Sequence, residues 1–290
     1  MTRFDYAEMT TRNRGFVTEA EQARLRTASV LIPGVGGMGG AAFMALVRAG
    51  IGRFVIADID HFEVSNLNRQ LFATLDTVGQ EKAAAARDGA LRINPEAQIE
   101  VLGGEWPDAL DRLIPAADVI VNGMDDAAAG VHLYRRAQAH GLTVIDAYAS
   151  PLPSVTVVRP DAPRPEARLR YPTVGVDWRQ VTPAMRVTCL QREIEYVLTH
   201  SSSHRHVDLT VAAEVAAGTR SRFSFATMVT MAGTMMADEA IRAILKRPGG
   251  TDHRGYFFNP HAVKVERPLP APIAAVRGFA VRRFMQRMMA

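Results

Sequence analysis

Along the first half of the chain, short apolar runs alternate with longer stretches of mixed, helical character. Residues 28–33 (ASVLIP) are apolar and stop at a glycine cluster, GVGGMGG. A helix-length apolar pattern, AAFMALVRAG, follows, and then a second apolar run, RFVIADID, that ends in acids. Strand, glycine turn, helix and strand make a βαβ unit, and continuous apolar runs bounded by turn residues suit parallel strands buried on both faces. The rhythm continues with a predicted helix over 78–93, a strand over 98–102 and a buried strand over 118–124 that ends in Asp125 and Asp126. A helix over 126–140 and a strand over 142–149 complete it. The predicted fold class is α/β: a Rossmann-like, doubly wound, mostly parallel sheet with right-handed connections and a ligand site at the carboxyl ends of its strands.

After residue 150 the pattern changes. SVTVVRP reads as a strand, and residues 159–182 carry prolines at 160, 163, 165 and 172, which predicts an irregular segment crossing the sheet. Residues 183–200 read as a helix, 201–206 (SSSHRH) as a solvent-exposed polar loop, 223–246 as a long helix and 255–258 (GYFF) as a late strand. Beyond the proline-rich hinge ERPLPAP, the end of the chain is helical in pattern. The expected organisation is one domain over 1–262, with its nucleotide-binding core at about 28–150 and a crossing segment at about 159–222, followed by a basic helical tail over 263–290.

Composition narrows the function classes. With 290 residues, 48% hydrophobic and 22% charged, the chain can bury a large core and is not of the disordered class. A net charge of +4 is too mild to argue for nucleic acid. The tail alone holds six basic residues (Lys264, Arg267, Arg277, Arg282, Arg283, Arg287) against one acid, Glu266, so it carries +5 and the rest is near neutral. For the tail, dimer contact, tRNA, a membrane surface and a plain basic end are all open; its apolar stripe is poor, because Arg277 and Arg287 fall among the apolar positions. Cys189 is the single cysteine, so no disulfide forms within the chain, as expected in a reducing compartment. No apolar signal-like run begins the sequence, and the apolar stretch 223–237 is shorter than the roughly 20 residues a bilayer requires, so a cytoplasmic location is expected.

The candidate chemistry starts at the glycine loop. Gly34, Gly36, Gly37 and Gly39 follow a strand and open a helix, where bare backbone amides and the helix dipole favour phosphate. Asp58 ends the next strand, 19 residues after Gly39, where an acid accepts hydrogen bonds from a ribose. These features alone suit NAD or FAD as well as ATP. Asn66, Arg69 and Gln70 in NLNRQ, Lys82 in VGQEK and Asp125 would face the same crevice. Nucleotidyl transfer calls for such cations, because charge accumulates at the α-phosphorus and on pyrophosphate, whereas hydride transfer does not. Asp125 could hold Mg2+, which takes one or two carboxylates plus phosphate oxygens. Asp60 either joins this set or caps the turn after its strand, and Asp126 suits a helix N-cap.

In order and spacing, GVGGMGG, DID (58–60), NLNRQ, VGQEK and GMDD (123–126) resemble the superfamily of ThiF, MoeB and ubiquitin-activating enzymes, over about residues 10–150 and more loosely through 224–260. The resemblance implies a homodimer that uses ATP and Mg2+ to adenylate a C-terminal carboxylate of a small carrier protein or peptide. One branch acts on a modified tRNA base, as a tRNA threonylcarbamoyladenosine dehydratase. It implies Asp58 on the ribose, Asn66, Arg69 and Lys82 on the phosphates, Asp125 on magnesium, and an N-terminal arginine, Arg12 in preference to Arg14, reaching the partner subunit's ATP. Many members carry a cysteine in the crossing segment that forms a thioester or persulfide. Cys189 lies in such a segment, and a buried thiol is the alternative. The chain departs from the pattern at Gly130, where arginine is common, at Asp126, where asparagine is common, and at Pro33. The paired CxxC zinc motif cannot exist with one cysteine, so no zinc site is expected; His200, His204 and His206 lack acid or thiolate partners at ligand spacing. An NAD-linked oxidoreductase and an inactive peptide-binding module are the remaining readings.

Overall fold

A computed structural model describes residues 4–216, 219–220 and 223–289. Residues 217, 218, 221 and 222 of the expected crossing segment, residues 1–3 and the last residue of the tail lie outside the described residues. The described strands form one eight-stranded sheet in the order β3-β2-β1-β4-β5-β6-β7-β8. Strands β1 (Ser29–Pro33), β2 (Arg53–Ala57), β3 (Gln98–Leu102), β4 (Val119–Val121) and β5 (Val144–Asp146) are parallel; β6 (Ser154–Val158), β7 (Tyr256–Asn259) and β8 (Lys264–Glu266) continue the sheet antiparallel. This is the doubly wound arrangement expected. The order reverses between β1 and β4, so a crevice opens at their carboxyl ends.

The helices are α1 (Tyr6–Met9), α2 (Glu19–Thr27), α3 (Met38–Arg48), α4 (Lys82–Leu91), α5 (Leu110–Leu113), α6 (Ala127–Ala139), α7 (Pro165–Arg168), α8 (Pro183–His200), α9 (Leu209–Ala216), α10 (Ala226–Ile244) and α11 (Ala271–Met289). Alternate strand residues divide between two cores. Val30, Ile32, Val119, Val121 and Ile145 pack with Phe43 and Leu46 of α3, Ala86 of α4 and Met236 and Ala240 of α10. Leu31, Ile120 and Val144 face Leu110, Leu133 and Tyr134 on the other side. With both faces covered, the central strands have no solvent side to mark with polar residues, hence their continuous apolar runs. Gly233 lets α10 lie against the start of α3, since a Cβ there would sit 2.5 Å from the Met38 carbonyl oxygen.

Several expectations change. The proline-rich segment is not wholly irregular: it holds α7 and a 3-10 turn over Trp178–Gln180. It is pinned by an ion pair between Arg135 on α6 and the buried Glu166, and Arg135 also donates to the carbonyls of Thr173 and Val176. Residues 201–206 are not a solvated loop. Ser201 and Ser203 are fully buried, because Ser202 binds Glu266 through both its backbone amide and its hydroxyl, clamping the turn onto β8. β8 (KVE) and α9 also went unpredicted.

Candidate active site

The glycine loop folds as a crossing of three backbones. Gly34, at φ +84°, lies so near Gly123 that a Cβ on it would meet the Gly123 carbonyl carbon at 2.5 Å, and a Cβ on Gly39 would lie 1.9 Å from the Gly34 oxygen. The amide of Gly34 donates to Ala57 O at 2.7 Å, and that of Gly123 to Pro33 O at 2.8 Å. Pro33 therefore fits the end of β1: it contributes a carbonyl and no donor is asked of it. Gly37 stands at the N-cap of α3, which has no side-chain cap, so the amides of Met38 and Gly39 at its start are left for a ligand, while that of Gly40 donates to Gly36 O.

Around this helix end the elements bring the predicted residues together. Asp58 follows β2 and accepts hydrogen bonds from the amides of Val35 (2.9 Å) and Asp60 (3.1 Å); burial pushes its carboxyl above the usual range, against those two bonds and the nearby Lys82. Lys82 begins α4, only 7% exposed, and its Nζ donates to Asp60 at 2.9 Å. Asp60 is thus the counter-ion of the lysine. Arg69 donates through Nη1 to Ser65 O at 2.9 Å and Asn68 Oδ1 at 2.8 Å, and among the described residues no carboxylate pairs with it. Gln70 is buried, its amide 3.5 Å from where a Gly36 Cβ would be, and its Oε1 has no hydrogen-bond partner among the described residues. Asn66, also buried, is turned to the protein: its Oδ1 accepts from the amide of Glu63 and its Nδ2 donates to Ser65. Asp125 is exposed in the loop after β4. Its neighbour Asp126 caps α6 by accepting from the Ala129 amide and pairs with Arg186 at the start of α8, which ties that helix to the rim of the crevice.

Arg12 is exposed on a 3-10 turn, Thr11–Asn13. Its segment is bound to the far end of α3: Asn13 donates to Ala49 O, and Tyr6 to Gly50 O. At about 1.5 Å per residue, the length of α3, about 16 Å, separates it from its own chain's loop.

Cys189 lies on α8 and is 1% exposed. Burial, reinforced by Glu166 and Glu193, pushes its thiol up to about 11, so the thiolate that would act as nucleophile is disfavoured here. Its reactivity with a disulfide reagent at pH 8 should be negligible in the native protein and complete in guanidinium chloride; rapid native reaction would show that the thiol is reachable.

A polar cluster beside the crevice escaped the sequence reading. Asp146, at the end of β5, accepts from Tyr134 OH (2.6 Å), Asn122 Nδ2 (2.8 Å) and the Ala147 amide (2.7 Å), and Asn122 in turn accepts from the Met124 amide in the Asp125 loop. Burial pushes the Asp146 carboxyl up to about 7, outweighing the hydrogen bonds that lower it. The only signal was an acid closing the otherwise apolar run LTVID. Folded protein therefore holds a proton here that the unfolded chain has lost above about pH 4. Stability from this group should decline as pH rises from about 4 to about 7, by at most about 1.4 kcal/mol per pH unit. Urea unfolding between pH 4 and 7 should show a shallower decline in Asp146→Asn than in wild type; parallel curves would contradict it.

A family model described as the ThiF family matches residues 10–274. The chain belongs to the ThiF family. It is 39% identical over 116 residues to the molybdopterin-synthase adenylyltransferase of Salmonella typhimurium, a match covering 40% of this chain and 46% of that relative. It is 41% identical over 93 residues to ubiquitin-like modifier-activating enzyme 5 of Caenorhabditis elegans, covering 32% and 22%. These matches span less than half the length of either relative. In fold it resembles the E. coli MccB crystal structure with ATP (TM-score 0.61, 18% identity, 86% of this chain and 65% of that one). It likewise resembles E. coli tRNA N6-threonylcarbamoyladenosine dehydratase, TcdA (TM-score 0.59, 16% identity, 83% and 95%). No helix among the described residues is long and apolar enough to cross a membrane.

Proposed function

We propose that this ThiF-family chain uses ATP to adenylate a carboxylate, the C-terminus of a small carrier protein or peptide. The observation that carries the reading is the convergence of an uncapped helix end, Asp58, Arg69, Lys82 and Asp125 around the carboxyl ends of β1, β2 and β4. Asp58 holds the ribose, and the α3 amides with Arg69 and Lys82 hold the phosphates. The orphan Gln70 oxygen beside Gly36 is an acceptor a bound ligand can satisfy. A single exposed carboxylate is a donor set that fits magnesium shared with phosphate oxygens, and Asp125 would hold it; when bound, the ion neutralises phosphate charge.

A substrate carboxylate oxygen forms a bond to the α-phosphorus as the bond from that phosphorus to the bridging oxygen breaks, and pyrophosphate leaves with the electron pair. No base is required, since the carboxylate is already ionised at neutral pH. Binding holds the reactants in line, and Arg69, Lys82 and the loop amides meet the charge that develops. The acyl group then passes to a sulfur or amine nucleophile as its bond to the adenylate oxygen breaks and AMP leaves, a role for which the buried Cys189 is poorly placed. We further propose a homodimer in which Arg12 serves the partner's crevice; its distance along α3 from its own loop supports this, as do the exposed apolar side chains Val64, Leu71 and Leu75 beside the Arg69 segment.

Pyrophosphate–ATP exchange in the presence of carrier proteins and C-terminal peptides tests the reading. Exchange dependent on such a substrate is expected; ATP binding without exchange for any of them would remove it. A second reading keeps the chemistry and places the carboxylate on a modified tRNA base. It is favoured by α11, which has no acidic residue and exposes Arg283 and Arg287. Salt-sensitive retention of tRNA, with exchange only in its presence, would select it.

A further inference from the structure

We propose that a cavity at the end of the sheet opposite the crevice is a binding site for a small phosphate-bearing anion. The cavity has a volume of about 220 Å³ and is lined by Thr143, Arg159, Glu239, Arg242, Lys246 and Arg247, among others. Thr143 immediately precedes β5 and Arg159 immediately follows the antiparallel β6, so both stand at the amino end of the parallel strands. α10 runs from the glycine loop, where a Gly37 Cβ would meet Val229, to this cavity. From Val229 to Arg242 the helix rises about 20 Å, which separates the two sites.

The charges of the wall do not cancel. Arg247 is matched by Glu21 at 2.9 Å. Arg242 reaches Asp238 at 3.5 Å, but its Nε stands 3.7 Å from Glu239, beyond a hydrogen bond, and that buried nitrogen has no partner among the described residues. Glu239 instead accepts from the Thr251 amide at 2.9 Å. Arg159 has the Thr251 carbonyl at 3.1 Å, and among the described residues neither it nor Lys246 has a carboxylate partner.

Cations at the last turn of α10 complement its dipole, which would account for Arg242, Lys246 and Arg247 without any ligand. That explanation does not extend to Arg159, which arrives from β6 and has no carboxylate partner among the described residues. A multiply charged oxyanion supplies acceptors to Arg159 and Lys246, the two cations of the wall without a carboxylate partner among the described residues. The volume is below the roughly 300 Å³ at which pockets for drug-sized ligands begin, so it suits a phosphoryl group on a small body rather than a nucleotide.

Thermal melting of the full chain in inorganic phosphate against chloride, at matched pH and ionic strength, is the test. Phosphate should raise the melting temperature, and Arg159→Ala or Lys246→Gln, both at exposed positions, should each weaken the apparent phosphate affinity about tenfold. Arg69→Ala, in the crevice, should leave the effect in place. The proposal is overturned if phosphate gives no rise beyond chloride. It is overturned equally if the rise survives Arg159→Ala and Lys246→Gln, or is lost with Arg69→Ala, which would put the anion in the crevice.

Discussion

Arg69→Ala is expected to lower substrate-dependent pyrophosphate–ATP exchange by about a thousandfold while leaving the melting temperature almost unchanged. Removing one preorganised group that meets transition-state charge typically costs a factor of about 10² to 10³. Arg69 stands at the upper end of that range because among the described residues no carboxylate neutralises it, leaving its whole charge for the phosphates. Lys82, by contrast, shares its charge with Asp60. The stability side follows from the contacts: among the described residues Arg69 donates only to Ser65 O and Asn68 Oδ1, four residues and one residue away, so its loss opens no core and orphans no buried charge. Arg69→Lys should recover only part of the activity, since a point charge cannot reproduce a forked donor. Near-normal exchange by the alanine variant would mean that the phosphates are held elsewhere and that the site is misassigned.

How much of this was legible in advance depended on whether neighbours in space were neighbours in sequence. The βαβ unit around the glycine loop was readable because buried parallel strands must be apolar throughout and the turn between them must be glycine. The helix expected over residues 183–200 is α8, Pro183–His200, and Thr182 caps its start by accepting from the Met185 amide. Hidden features joined distant segments. Asp60 and Lys82 pair across 22 residues, and Asp146, Tyr134 and Asn122 come from two strand ends and a helix. β8 carries no apolar signal, since Lys264 and Val265 are exposed; only pairing with β7 makes it a strand. Asn66 shows the converse case. A polar residue in a recognisable motif is here engaged with its own turn, so its motif position alone does not reveal what it binds.

Gly39→Ala is expected to destabilise the fold by about 3 kcal/mol or more and to abolish ATP binding, and Gly130→Ala should do neither. A Cβ at Gly39 would lie 1.9 Å from the Gly34 oxygen and 2.9 Å from the Gly123 Cα. Both are backbone atoms, and each is fixed by a ladder bond, Gly34 to Ala57 and Gly123 to Pro33, so neither can retreat without disturbing β1 and β4 in the core. The same crossing shapes the phosphate loop, which is why stability and binding should fail together. Gly130 lies inside α6, and a Cβ there meets nothing within 4 Å. Replacing a helix-interior glycine by alanine in open space should stabilise by about 0.5–1 kcal/mol, raising the melting temperature by about 1–4 °C. The pair separates two meanings of glycine at the same crevice: one position requires the absence of a side chain, while the other tolerates a methyl. If Gly39→Ala melted with wild type and still bound ATP, the loop would be deformable, and its glycines could not be what positions the phosphates.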